Sequence, residues 1–271
     1  MDYFISVSFN TNEEQTAMIT AMLLDAGFEG VEEKENETIA FIAEKNFDEE
    51  ILKTIFEKFD VPYTLGKLAQ QNWNTDWEKS FEPVQVDNFA SVRASFHQPV
   101  PGVLHDIIIT PKMSFGTGHH ATTFLVIQQM EALDFKDQFV IDFGTGTGVL
   151  AILAEKLGAK EILAIDNDDW SINNAKENLT ANNCHKIILQ KENEMIADKK
   201  AGIILANINL NVIIANIGNI KQACLPQTNI LLSGLLVQDE KRFTEILTAN
   251  GFKILKCVNK NNWIAILTGL I

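Results

Sequence analysis

Apolar and polar positions near the start of the chain alternate: Ile5, Val7 and Phe9 are separated by Ser6 and Ser8, the period-two pattern of a half-buried strand. A helix is predicted from about Asn12, with acids in its first turn. Met18/Met22 and Ile19/Leu23 repeat at four-residue spacing until Gly27 stops it. Two strand-like pieces, FEGVEE and ETIAFIA, flank the polar turn at 34–36. A second helix follows with Phe47, Ile51, Leu52, Ile55, Phe56 and Phe59 on one face, and VPYTLGKL reads as a last strand. The order βαββαβ is that of a ferredoxin-like fold and assigns residues 1–66 to a small α+β domain.

Residues 67–83 read as a linker helix, with Trp73 and Trp77 one turn apart and Pro83 ending the run. From 84 to 271 the rhythm changes. FVIDFG, EILAID, KIILQ, GIILAN and NILLSG are strand-like and alternate with helical stretches, including one from Leu210 to about Cys224 and one over 239–249. Such alternation predicts a parallel, doubly wound sheet. The last two strands, GFKILKCVN and NNWIAILTG, are joined by a few polar residues around 259–262. No crossover helix fits there, so they must run antiparallel. A reversed hairpin at the edge of a parallel sheet is the usual ending of a Rossmann-like methyltransferase sheet of seven strands.

Composition changes the picture in two places. The 271 residues are 46% hydrophobic and 21% charged, ordinary for a globular chain, but the net charge is −14. Residues 1–66 hold fifteen acids against four lysines, so −11 of that charge lies in the first quarter. A nucleic-acid binder normally shows the opposite sign; an acidic face attracts a basic partner. The other reading of the charge is a merely solubilising surface. The longest apolar run, 202–218, is broken by asparagines and too short to span a membrane. MDYFISVSFN lacks the basic start of a signal peptide. Cys184, Cys224 and Cys257 are odd in number and far apart, as in a cytoplasmic protein with buried thiols.

The candidate chemistry centres on FVIDFGTGTGVLAI, a buried strand running into alternate glycines and then a helix. Ligands of open α/β sheets sit at such a place. The spacing is GxGxG, with Val149 where a dinucleotide site has its third glycine. Asp142, two residues before Gly144, suits a cationic ligand better than a pyrophosphate. Asp166 ends the next strand and is placed to accept from both hydroxyls of a ribose. Asp142, Asp166 and the glycines Gly144 and Gly146 favour S-adenosylmethionine over NAD. Asp168 and Asp169 read as the cap and first turn of the next helix. Asn207 closes the fourth strand at the same edge; Asn209 and Asn211 compete for its role, and position favours Asn207.

A second Gly-Thr-Gly turn lies upstream in SFGTGHHATT. The W-x3-W-x3-F-x-P joint (Trp73, Trp77, Phe81, Pro83), the FGTG-x-H-x-T-T block from Phe115 to Thr123, DFG-x-G-x-G, Asp166 and Asn207-Ile208 together resemble the PrmA family of ribosomal protein L-eleven methyltransferases. The resemblance runs essentially end to end. It implies that Thr123, Gly144, Asp166 and Asn207 contact S-adenosylmethionine, that Phe115, Gly116 and Thr117 lie beside the reactive methyl group, and that both glycine turns hold the same molecule. His120 matches the family's histidine and, with His119, lacks a carboxylate or cysteine at metal-ligand spacing, so a loop-ordering role is expected and no metal. Thr110, Lys112, Ala121 and Asn209 depart from the family's usual Asp, Gly, Pro and Leu, which bears on loop geometry.

Methyl transfer to nitrogen needs a neutral amine. A free lysine has a pKa of about 10.4, which a nearby cation and desolvation lower. Neutral oxygens, such as the Asn207 amide, are therefore expected to orient the nitrogen, with no dedicated general base. The expected enzyme is an S-adenosylmethionine-dependent protein methyltransferase acting on lysine or N-terminal amines of a large-subunit ribosomal protein. It is expected to be monomeric, without membrane or direct nucleic-acid contact, its acidic domain capturing the basic substrate. An RNA or small-molecule methyltransferase and a non-catalytic adenosyl-binding factor remain open on the residues alone.

Overall fold

The computed structural model describes residues 3–34, 37–69, 82–110 and 121–271, and the chain divides into two compact units, Met1–Ser80 and Phe81–Ile271. The first contains β1 (Tyr3–Phe9), α1 (Glu13–Asp25), β2 (Gly30–Lys34), β3 (Glu37–Ala43), α2 (Glu49–Phe59) and β4 (Tyr63–Ala69). Asn12 caps α1, its side-chain oxygen accepting the Gln15 N–H at 2.9 Å, and Asp48 caps α2. The sheet order is β2-β3-β1-β4 with every neighbour antiparallel, the ferredoxin-like arrangement. Val7, Phe9, Ala40 and Ile42 pack with Ile19, Leu23, Leu52, Ile55 and Phe56. The expected helix faces are narrower than the apolar pattern suggested: Met18 and Ile51 are about half exposed. Strand β4 continues to Ala69, because Lys67 still pairs with Ile5 of β1. The stretch assigned to a linker helix from 67 thus begins as strand, and its tryptophans lie outside the described residues.

The second unit opens with a feature the sequence did not reveal. β5 (Val84–Val86), β6 (Ala90–Ala94) and β7 (His105–Ile109) form a separate three-stranded sheet, β6 and β7 parallel. Arg93, nearly buried, pairs with the Asp106 carboxylate through Nε and Nη2, and its Nη1 donates to the carbonyl of His97 at 2.7 Å. A buried guanidinium needs such saturation of its donors.

The main sheet follows: α3 (Ala121–Met130), β8 (Phe139–Phe143), α4 (Val149–Lys156), β9 (Glu161–Asp166), α5 (Asp169–Ala181), β10 (Ile187–Lys191), β11 (Ala201–Asn207), α6 (Leu210–Ala215), α7 (Ile217–Gln222), β12 (Cys224–Leu236), α8 (Glu240–Ala249), β13 (Phe252–Lys260) and β14 (Trp263–Leu270). Its order is β10-β9-β8-β11-β12-β14-β13, parallel except for β14, which runs antiparallel to β12 and β13. Asn261 and Asn262 turn the hairpin at φ 50° and 64°, the left-handed pair a two-residue turn requires. Alternate strand residues serve opposite layers. Val140, Ile162, Leu205 and Ala265 pack with α3 and α4, whereas Ile141, Leu163, Ile204 and Ile266 pack with Ile213, Ile220, Phe243 and Leu247 from α6, α7 and α8. The single helix expected from Leu210 is broken into α6 and α7 at Asn216, whose amide turns back to the Val212 carbonyl and accepts the Met195 N–H. Among the described residues, no helix is long and apolar enough to cross a membrane.

Asparagines at the C-terminal end of α5 and at its C-cap tie this helix to the small sheet. Asn182 accepts the Ile108 N–H at 3.0 Å and donates to the Ile108 carbonyl at 2.6 Å, so one side chain occupies the free edge of β7. Replacing Asn182 by Ala leaves both groups without that partner. We expect a loss of about 1–3 kcal/mol, seen as a lower urea midpoint at unchanged m-value.

Candidate active site

Strand β8 is central: the chain runs from it to β9 and β10 on one side, then crosses over to β11 on the other. Crevices that bind ligands open at such a reversal. A cavity of about 550 Å³ lies there, within the roughly 300–1,000 Å³ of small-molecule sites. In sheet order its walls come from Glu192 and Asn193 after β10, Asp166 to Asp168 after β9, Phe143 to Gly146 after β8, Asn207 to Asn209 after β11, Gly234 in β12 and Trp263 at the start of β14, with Thr122 and Thr123 of α3.

The glycine loop is held by β9. The N–H groups of Gly144 and Thr145 both reach the Ile165 carbonyl, at 2.8 and 2.9 Å, and Gly146 donates to Asp166 Oδ2 at 2.8 Å. Gly144 has φ 76°, and a Cβ on it would stand 2.0 Å from Ile208 Cγ2. Gly234, at φ 88°, would place a Cβ 2.1 Å from the Ile208 carbonyl oxygen. Ile208 therefore threads between two positions where only glycine fits.

Asp142 departs from its expected place. It is fully buried, points to the same side of β8 as Val140, and is absent from the cavity wall. Its Oδ2 accepts the Thr145 hydroxyl at 2.6 Å, while Oδ1 has no hydrogen-bond partner among the described residues. Burial pushes its carboxyl up to about 7, against the opposing pull of the Thr145 bond. The residue props the loop from beneath instead of rimming the crevice. The acidity of the wall comes from Asp166, Asp168 and Glu192.

Asp166 does stand at the edge of the cavity, its Oδ1 accepting the Asp168 N–H at 3.1 Å. Asp168 caps α5 through the Ser171 N–H, as its position suggested. On the other side of β8, Asn207 donates to Thr123 Oγ1 at 3.3 Å, and its carbonyl oxygen Oδ1 is buried without a partner among the described residues. Asn209, one of the two competing asparagines, caps α6. Phe115, Gly116, Thr117, His119 and His120 lie outside the described residues. Thr110 is described: its N–H donates to Asn178 Oδ1 at 2.7 Å, and the same amide donates to the Thr147 carbonyl at 2.8 Å. No cluster of metal-ligating side chains occurs among the described residues.

Sequence reasoning missed Glu192, Asn193, Gly234 and Trp263. The first two could have been found from their place just after a strand, as Asn207 was. Trp263 could not, since it opens a reversed strand and only pairing with Leu236 brings it to this edge.

The residues fit an adenosyl methyl donor. No lysine or arginine lines the cavity among the described residues, three carboxylates do, and the Gly146 amide that would face a pyrophosphate is taken by Asp166. The unpartnered Asn207 oxygen asks for a donor, as an amine provides. The comparison with protein families is decisive. The model described as "Ribosomal protein L11 methyltransferase (PrmA)" matches residues 6–269. The chain belongs to the PrmA family. Members of this family with similar sequences include the ribosomal protein L11 methyltransferases of Phocaeicola vulgatus, 35% identical over 97% of this chain and 98% of that protein, and of Chlorobaculum parvum, 38% identical over 97% and 95%. The crystal structure of ribosomal protein L11 methylase from Lactobacillus delbrueckii subsp. bulgaricus superposes with a TM-score of 0.65 at 29% identity, covering 70% of this chain and 99% of that one.

In this PrmA-family chain, Asp142→Asn tests the prop. The amide oxygen still accepts from Thr145 but cannot ionise. Because burial raises the native carboxyl from 3.8 to about 7, the native state binds the extra proton, and stability falls as pH rises between those values. From about pH 5.5 to about pH 7 the wild-type protein should lose roughly 2 kcal/mol that the variant keeps, read by denaturant unfolding at each pH.

Proposed function

We propose that this protein is an S-adenosylmethionine-dependent methyltransferase that modifies amino groups, lysine Nζ or a terminal amine, of ribosomal protein L11. The observation that carries the reading is the asymmetry of the cavity, with carboxylates on the β9–β10 side and, on the other, a neutral oxygen, Asn207 Oδ1, that has no partner among the described residues. Membership of the PrmA family supports the substrate.

When bound, S-adenosylmethionine supplies an activated methyl group on a cationic sulfur. Asp166 would hold its ribose hydroxyls, Gly144 and Gly146 would let the backbone approach it, and Thr123 with Asn207 would complete the wall. Phe115, Gly116 and Thr117 are proposed beside the reacting nitrogen. Asn207 Oδ1 accepts an N–H of the incoming amine and leaves the nitrogen lone pair free. No carboxylate lines that side among the described residues, so nothing there holds the amine as ammonium. The proton leaves to solvent before transfer, and alignment of the nitrogen is the residues' main contribution.

The first 66 residues, with their charge of −11, are proposed to capture the basic protein substrate. A hinge after β4, in the stretch before residue 80, would let them present different amines to one site. The protein would act as a monomer in the cytoplasm, without contacting nucleic acid directly.

Calorimetry with S-adenosylmethionine should give a binding isotherm, NAD none, and Asp166→Ala a Kd raised at least tenfold, since a hydrogen bond to a charged group contributes about 1.5–3 kcal/mol. Radiolabelled methyl should enter purified L11 and not ribosomal RNA; label in RNA alone would overturn the protein reading. Electrostatic capture further requires the KM for L11 to rise with salt while cofactor affinity holds.

A further inference from the structure

The neutral side of the cavity has a wall that the methyl-transfer reading leaves unused. Trp263 opens β14, the reversed strand. It is fixed from both sides, pairing with Leu236 of β12 and with Lys260 of β13. It lines the same cavity as Asn207, Ile208 and Val212, on the flank of β8 away from Asp166 and Glu192. The antiparallel direction of β14 is what brings its first residue to the edge where parallel strands end. The apolar wall and the unpartnered oxygen are therefore on one side of the crevice.

An amine nucleophile arrives in one of two forms. A lysine nitrogen stands at the tip of a flexible four-carbon stem, whereas a terminal amine is joined directly to a polar peptide unit. An indole face and two aliphatic side chains gain contact with the stem and gain little from the peptide unit. We propose that Trp263 is a specificity-determining residue, forming with Ile208 and Val212 an apolar slot for the stem of a lysine side chain and so favouring lysine Nζ over a terminal α-amine. The inference rests on the methyltransferase reading and deepens it. It assigns Trp263 to the acceptor and not to the cofactor.

The test uses the full-length protein and two forms of L11. One has its terminus acetylated, leaving only lysine amines; the other has its lysines guanidinated, leaving only the terminal amine. Wild-type protein should show the lower KM on the acetylated form. Trp263→Ala should raise that KM about tenfold, the scale of removing much of an aromatic contact from the stem. KM on the guanidinated form and the calorimetric Kd for S-adenosylmethionine should stay within about twofold. Trp263→Leu, which keeps an apolar side chain and serves if the alanine variant does not fold, should raise the lysine KM by an intermediate factor with the same selectivity. An equal loss on both forms, an unchanged lysine KM, or a weakened cofactor Kd would overturn the inference and leave the methyltransferase reading intact. Wild-type protein that methylates neither form would overturn that reading, and this inference with it.

Discussion

Three consecutive amides, those of Gly144, Thr145 and Gly146, are committed to the end of β9, two to the Ile165 carbonyl and one to the Asp166 carboxylate. The rest of the site depends on this commitment. It draws the loop sideways off the end of β8 and opens the crevice there. It also removes from the loop an amide that would otherwise attract a phosphate. A glycine-rich loop that spends a donor on a carboxylate is built for a ligand that tolerates, or seeks, negative surroundings. The same bond orients Asp166 at the cavity edge, because a carboxylate already accepting from Gly146 and Asp168 has its remaining lone pairs directed outward.

The opposite flank is fixed by packing. Ile208 passes between Gly144 and Gly234 with no space for a methyl group on either, so Asn207, its neighbour, enters the crevice at one angle. Asn207 uses its N–H on Thr123 and keeps its oxygen unpartnered among the described residues. A buried carbonyl oxygen without a donor costs free energy, which a structure tolerates where a ligand returns it. The donors committed on the β9 side and the acceptor kept open on the β11 side give the crevice its polarity.

Much of this was legible in the chain. Hydrophobic periodicity predicted the ferredoxin-like order, the parallel sheet and the reversed hairpin, because each rests on local alternation and loop length. The strand-end residues Asp166 and Asn207 were legible because a parallel sheet delivers every strand end to one edge. What stayed hidden depends on pairing between distant segments. The small sheet of β5–β7 joins strands too short to signal themselves. Trp263 reaches the site only through its partners on β12 and β13. Asp142 was misjudged because sequence gives a residue's position along a strand but not which face of a loop it meets; two residues before the glycine, it turns under the loop.

One asparagine ties the second Gly-Thr-Gly turn to a segment distant in sequence. Asn178 is fully buried on α5, donates to the carbonyl of Thr147 in the second turn, and accepts from the amide of Thr110 as the chain heads toward the first. A single planar amide with a donor and an acceptor in fixed relation thereby sets the distance between two segments far apart in sequence. Asn182, one helical turn on, repeats the device on Ile108. A backbone segment tied in this manner cannot shift along the helix without breaking bonds in a buried setting, where each lost partner is expensive. The end of β7 is in this way registered against the glycine loop that follows β8.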